Sequence, residues 1–88
     1  MKVWFKAYTG AKLLRQDTVE DYSSDTRTHK ILHALEEVCK RWDVAAPFWL
    51  KKNEQEFLAK AKTRFTKDNF IEEVPFQYLE ISILEEDY

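Results

Sequence analysis

The stretch from Asp25 to Asp43, DTRTHKILHALEEVCKRWD, constrains the fold more than any other part of the chain. Ile31, Leu32, Leu35, Val38, Cys39 and Trp42 recur at steps of one, three, three, one and three. That spacing is the apolar stripe of a helix packed on one side. His33, Glu36, Glu37, Lys40 and Arg41 fall on the opposite side, with Glu36 four residues before Lys40, the favourable order for an exposed pair. Ser23, Ser24 and Asp25 offer oxygens to the first free amides, and Lys40 and Arg41 place cations where the helix dipole favours them. A helix with so sharp a stripe needs a surface to lie on, and the flanking segments are expected to supply it.

Those segments read mainly as strands. In KVWFKAYT, residues 2–9, Val3, Phe5 and Ala7 alternate with Trp4, Lys6 and Tyr8, which predicts an amphipathic strand with an aromatic outer face. Gly10 marks a turn. Residues 12–22 alternate imperfectly and predict a second strand or an irregular edge, with a bulge near Gln16–Asp17. After the main helix, Pro47 holds Ala46 extended, and Phe48-Trp49-Leu50 reads as a brief strand or a buried loop. Asn53 stands three residues before Glu56, a pairing that resembles a capping box. It predicts a second helix running to about Arg64, with Phe57, Leu58, Ala61 and Phe65 inward and Lys60, Lys62 and Arg64 outward. Thr66 to Asn69 reads as a turn. Pro75 opens a last strand in which Leu79, Ile81 and Ile83 share one face and Tyr78, Glu80, Ser82 and Leu84 the other. The order is β-β-α-(β)-α-β. It predicts an α+β two-layer sandwich: a small, mainly antiparallel sheet with two helices on one face, forming one domain across residues 1–88.

Composition narrows the chemistry. A single glycine excludes phosphate-binding loops, dinucleotide folds and nucleophile elbows, all of which need several. A single cysteine, Cys39, lies on the apolar helix stripe and reads as a core residue. Met1-Lys2 leads into an alternating stretch rather than an apolar run, so neither a signal peptide nor a membrane span is expected, and the setting is expected to be cytoplasmic. Charge is uneven: from Lys51 to Lys67 six basic residues face two glutamates, while from Asp68 onward there are seven acids and no base. The plain account is a basic helix beside an acidic strand, in mutual attraction.

The segments Asp25-Thr26-Arg27-Thr28-His29-Lys30 and Arg64-Phe65-Thr66-Lys67-Asp68-Asn69-Phe70-Ile71-Glu72 resemble those of a set of short uncharacterised proteins of Gram-positive bacteria. The likeness runs over most of the length. It implies a bacterial, cytoplasmic origin and brings no activity, ligand, partner or site residue with it.

Three constellations carry candidate chemistry. His29 and His33 are four apart and share a helix face at metal-ligand spacing, but only a carboxylate such as Glu36 or Glu37 is left as a third ligand, so no metal and no cofactor is expected. Arg27, His29, Arg64 and Lys67 would form an anion site if two helix starts approached one another. A histidine with such partners also has the parts for phosphodiester cleavage; Asp25 and Asp68 acting as caps paired to the arginines explain the same residues without it. Trp4, Tyr8, Tyr78 and Leu84 would decorate the sheet face that the helices leave bare, and an apolar patch of that kind marks an interface. The expected role is therefore a non-enzymatic protein-interaction module, self-associating as a homodimer or binding another protein. The alternative is a small nucleic-acid binder using the basic second helix.

Overall fold

The computed structural model describes residues 1–87. The first strand, β1 (Lys2–Thr9), buries Val3, Phe5 and Ala7 and turns Lys2, Trp4, Lys6 and Tyr8 the other way. Gly10 makes the turn at φ +58°, a left-handed conformation that glycine adopts without a Cβ penalty. The chain then pairs back as β2 (Lys12–Glu20). The expected bulge exists, but it lies at the hairpin end, where Ala7 faces Arg15 and Tyr8 faces Leu13. The register explains the poor alternation of β2. Its inward positions are Arg15, Asp17 and Val19, opposite Ala7, Phe5 and Val3. Arg15 lies 5.2 Å over the Trp42 ring, and Asp17 accepts from Arg41 Nη1 at 3.1 Å. Inward-pointing charges on an edge strand blunt its tendency to pair with other chains.

Helix α1 (Arg27–Arg41) buries Ile31, Leu35, Val38 and Cys39 of its predicted stripe, together with Ala34, whereas Leu32 of that stripe is 38% exposed. Its N-cap is Thr26, whose hydroxyl accepts from the His29 amide at 3.2 Å, rather than the three residues before it. Lys30 is buried as well, with Nζ 2.6 Å from Asp87, which also holds the Met1 amino group. The expected exposed pair moves one residue along, to Glu37 and Arg41 at 3.3 Å.

The second half departs from the expectation in one respect with consequences. Helix α2 (Lys51–Lys60) stops four residues short of Arg64. Ala61 takes φ +53° and its amide closes the helix on the Phe57 carbonyl at 2.8 Å. The chain leaves as a strand, β3 (Lys62–Thr66), antiparallel to β4 (Tyr78–Glu85). Phe48 to Leu50 forms no strand, so the order is β-β-α-α-β-β. The sheet runs β2-β1-β4-β3, every neighbour antiparallel, and both helices lie on one face. The core fills the space between, with Val3, Phe5, Phe65, Leu79 and Ile81 from the sheet meeting Leu35, Val38, Trp42 and Phe57 from the helices. No helix among the described residues is long and apolar enough to cross a membrane.

A buried amide pair fastens α2 to β3. The Asn53 carbonyl oxygen accepts from the Leu50 amide at 3.1 Å and from Asn69 Nδ2 at 2.8 Å. Its amide donates to Thr63 Oγ1 and to the Arg64 carbonyl, both at 2.9 Å. Asn69 in turn donates to the Phe48 carbonyl at 2.7 Å and accepts from the Thr66 amide at 3.0 Å. Every polar atom of both amides is therefore used, as buried polar groups require.

Cys39 lies on the sheet side of α1, 3% exposed, and burial pushes its thiol up to about 11. Since the thiolate is the reactive form, an aromatic disulfide reagent at mildly alkaline pH is expected to label the native chain at least about a hundredfold more slowly than the urea-unfolded chain. Native and unfolded rates within tenfold of each other would contradict this burial.

Candidate functional site

The outward face of the sheet is built from three cross-strand rows. Trp4 lies opposite Ser82, and Ser82 opposite Lys62. Lys6 lies opposite Glu80, and Glu80 opposite Arg64. Tyr8 lies opposite Tyr78, and Tyr78 opposite Thr66. The even register of antiparallel pairing brings each row to one side, away from the helices.

The middle row is a charge sandwich. Glu80 is 4% exposed although it faces outward, because its two neighbours close over it. Lys6 Nζ is 2.9 Å from Oε2 and Arg64 Nε donates to Oε1 at 3.2 Å. Burial works against the carboxylate, but the hydrogen bonds from Lys6 and then Arg64 outweigh it and hold its pKa below the usual value. Burial likewise opposes the Lys6 ammonium, and its hydrogen bond to Glu80 prevails and raises its pKa.

The aromatic rings stack with these cations into a continuous ladder. Arg64 lies 4.7 Å over the Tyr78 ring. Tyr78 stacks on Tyr8 at 5.1 Å between centroids and 23° between planes. Lys6 Nζ is 5.8 Å from the Tyr8 centroid and 4.0 Å from that of Trp4. Trp4 Nε1 donates to Gln16 Oε1 at 3.1 Å. Cation–π contacts of this kind contribute roughly 0.5–1 kcal/mol each at exposed sites. Of the four residues expected on this face, Trp4, Tyr8 and Tyr78 are assembled in the ladder. Leu84 lies apart, 47% exposed in the stretch of β4 where the register shifts between Lys2 and Val3.

The expected anion constellation is not brought together. Arg27 opens α1 and forks onto Glu86, with Nη2 2.8 Å and Nε 3.1 Å from its carboxylate oxygens. His29 Nδ1 lies 3.0 Å from Asp25, and His33 stacks on His29 with its own Nδ1 3.9 Å from the same carboxylate. The Thr26 amide and then His29 keep Asp25 below its ordinary pKa. Arg64 projects from the opposite side of the sheet, and Lys67 sits exposed in a single turn of 3-10 helix, Lys67–Asn69. The basic helix of the alternative reading is also divided: α2 retains Lys51, Lys52 and Lys60 beside Glu54 and Glu56, while Lys62 and Arg64 pass to β3 and join the aromatic face.

One surface has no counterpart in the sequence reading. A groove of about 380 Å³ runs between α1 and α2, floored by Ile31, Trp49 and Phe57 and flanked by Leu32 and Leu58. Leu58 is 82% exposed rather than inward, and Trp49 Nε1 is buried with no partner among the described residues. The only sequence trace of it is that Leu32 and Leu58 both lie at the margin of an apolar stripe.

No protein-family model matches the chain, and no curated protein or solved structure matches it.

Proposed function

We propose that this chain is a non-enzymatic, cytoplasmic bacterial module that acts by docking another protein on the outer face of its sheet. The observation that carries this reading is the Trp4–Lys6–Tyr8–Tyr78–Arg64 ladder, built on the two central strands and the β3 edge with no other described element lying over it. Trp, Tyr and Arg are the residues that dominate binding energy at protein interfaces. Here stacking, cation–π contacts and hydrogen bonds hold them against one another before any partner arrives, which lowers the ordering cost of binding.

A second reading, a binder of single-stranded nucleic acid, draws on the arrival of Lys62 and Arg64 beside Tyr78. It requires open ring faces on which bases stack. In the ladder those faces are largely taken by neighbouring rings and cations, and Glu80 neutralises part of the positive charge. Protein docking is favoured for that reason.

The test is a paired affinity capture from a bacterial extract, using the wild-type chain and a Trp4→Ala/Tyr78→Ala variant of verified fold. One protein retained at near-stoichiometric level by the first and lost with the second is the expected result. Equal recovery by both, or none by either, would end the reading. Light scattering of the wild type over rising concentration decides whether the partner is a second copy.

A further inference from the structure

We infer that the partner meets this face with carboxylates: it is an acidic protein segment, seated on the half of the face formed by β4 and β3. The inference rests on the docking reading and adds the chemistry of the partner. Across β1, β4 and β3 the centre of the face carries Lys6, Lys62 and Arg64 against Glu80 alone, on a chain whose formal net charge is −2. The cationic centre therefore stands out from an otherwise acidic molecule. Lys2, at the far end, is balanced by Glu20 at 3.7 Å.

The shape of the charge is as telling as its sign. Arg64 uses Nε on Glu80 and lays its plane on Tyr78, and its side chain is still 59% exposed. Its two terminal nitrogens have no acceptor among the described residues. These are the donors of the guanidinium fork, whose spacing matches the two oxygens of a carboxylate. Glu80 and Tyr78 fix the direction of the fork before binding. Lys62, two residues earlier on the same side of β3, is exposed and has no ion-pair partner among the described residues. The two cations stand side by side at i and i+2, the repeat of outward positions along a strand.

A second copy is a poor occupant. Stacked face to face around a twofold axis, two such surfaces would bring Lys6, Lys62 and Arg64 toward their own images, and like charges so juxtaposed oppose association.

The experiment selects random peptides displayed on phage against the immobilised wild-type chain, then measures the selected peptides by fluorescence anisotropy. Enrichment in Asp and Glu is expected, with affinity that weakens as salt rises. Arg64→Glu and Lys62→Glu should each weaken binding about tenfold or more, while Lys51→Glu on α2 should leave it unchanged. Lys62 makes no ion pair within the described fold, so its variant remains informative if Arg64→Glu lowers the melting temperature. Selected peptides that lack acidic residues but still lose affinity in both face variants would overturn the acidic partner and leave the docking surface standing. Peptides indifferent to both variants, or no selection at all, would overturn both. A thymidine oligonucleotide bound more tightly than the peptides and lost with the same two variants would replace the acidic segment by a nucleic acid.

Discussion

Asn53→Leu is expected to remove about 3–5 kcal/mol of stability. Four hydrogen bonds depart with one side chain: those to the Leu50 amide, Asn69, Thr63 and the Arg64 carbonyl. Thr63 Oγ1 keeps its bond to Glu56 and Asn69 Nδ2 its bond to the Phe48 carbonyl, but the Leu50 amide and the Arg64 carbonyl lose their bonds to Asn53 beside two fully buried amides, and an apolar side chain replaces a buried polar one opposite Thr63 and Asn69. Each orphaned group costs roughly 1–3 kcal/mol. A small domain has little reserve, because it buries a smaller share of its surface than a large one does. The measurement is urea unfolding followed by tryptophan fluorescence, with an unchanged denaturant slope required for the comparison. Asn69→Leu should act on the same network, so the double variant should be less destabilised than the sum of the singles. A loss below about 1 kcal/mol for Asn53→Leu, or strict additivity, would show that the two amides do not fasten α2 to β3 as described.

That network also shows where the sequence was legible and where it was not. The alternation of β1 and the stripe of α1 come from residues whose burial repeats with the element's own period, β4 alternates in residue type although Glu80 is buried between Leu79 and Ile81, and the fold class follows from these elements. The Asn53–Glu56 spacing predicts the start of a helix, and Asn53 does cap one, but from the third helical position: its oxygen reaches back to the amide of Leu50 while the rest of the side chain reaches across to β3. A capping oxygen three residues inside the helix leaves the same trace as one at its start. The boundary at Ala61 was hidden for another reason. Left-handed caps are usually announced by glycine or asparagine, and an alanine there carries no signal. Without such a signal Lys62 and Arg64 continue the pattern of a basic helix, and nothing local announces their meeting with Tyr78 and Glu80. The ladder as a whole was half visible. Trp4, Lys6, Tyr8 and Tyr78 follow from alternation alone, but Arg64 joins them through a strand pairing that no local pattern encodes.

Glu80→Gln is expected to cost about 2–3 kcal/mol near neutral pH, the range of a hydrogen bond to charged partners, and to do so in a pH-dependent way. The amide keeps the shape of the carboxylate but leaves Lys6 and Arg64 facing each other across the row without the charge between them. The wild-type carboxylate has a folded-state pKa below its ordinary value of 4.5, so the unfolded chain binds its proton first as the solution is acidified. Its stabilising contribution is complete above that ordinary value and drains away as pH falls through the folded-state pKa. Lys6 has a folded-state pKa above its ordinary value of 10.5, so the same pairing weakens again as pH rises through that raised value. The gap in urea midpoint between wild type and variant should therefore be a plateau that closes at both ends. A gap that persists unchanged into the most acidic solutions would mean that the buried carboxylate is not what holds the row together. Binding should move the other way. Removing the only acid at the centre of the face raises its positive charge and leaves the terminal nitrogens of Arg64 free, so peptides selected for acidic residues should bind Glu80→Gln more tightly than wild type at low salt. A variant that is less stable yet binds better separates the two roles of the row, whereas weaker binding in step with lost stability would mean that the orientation Glu80 gives Arg64 outweighs, for the partner, the negative charge it places on the face.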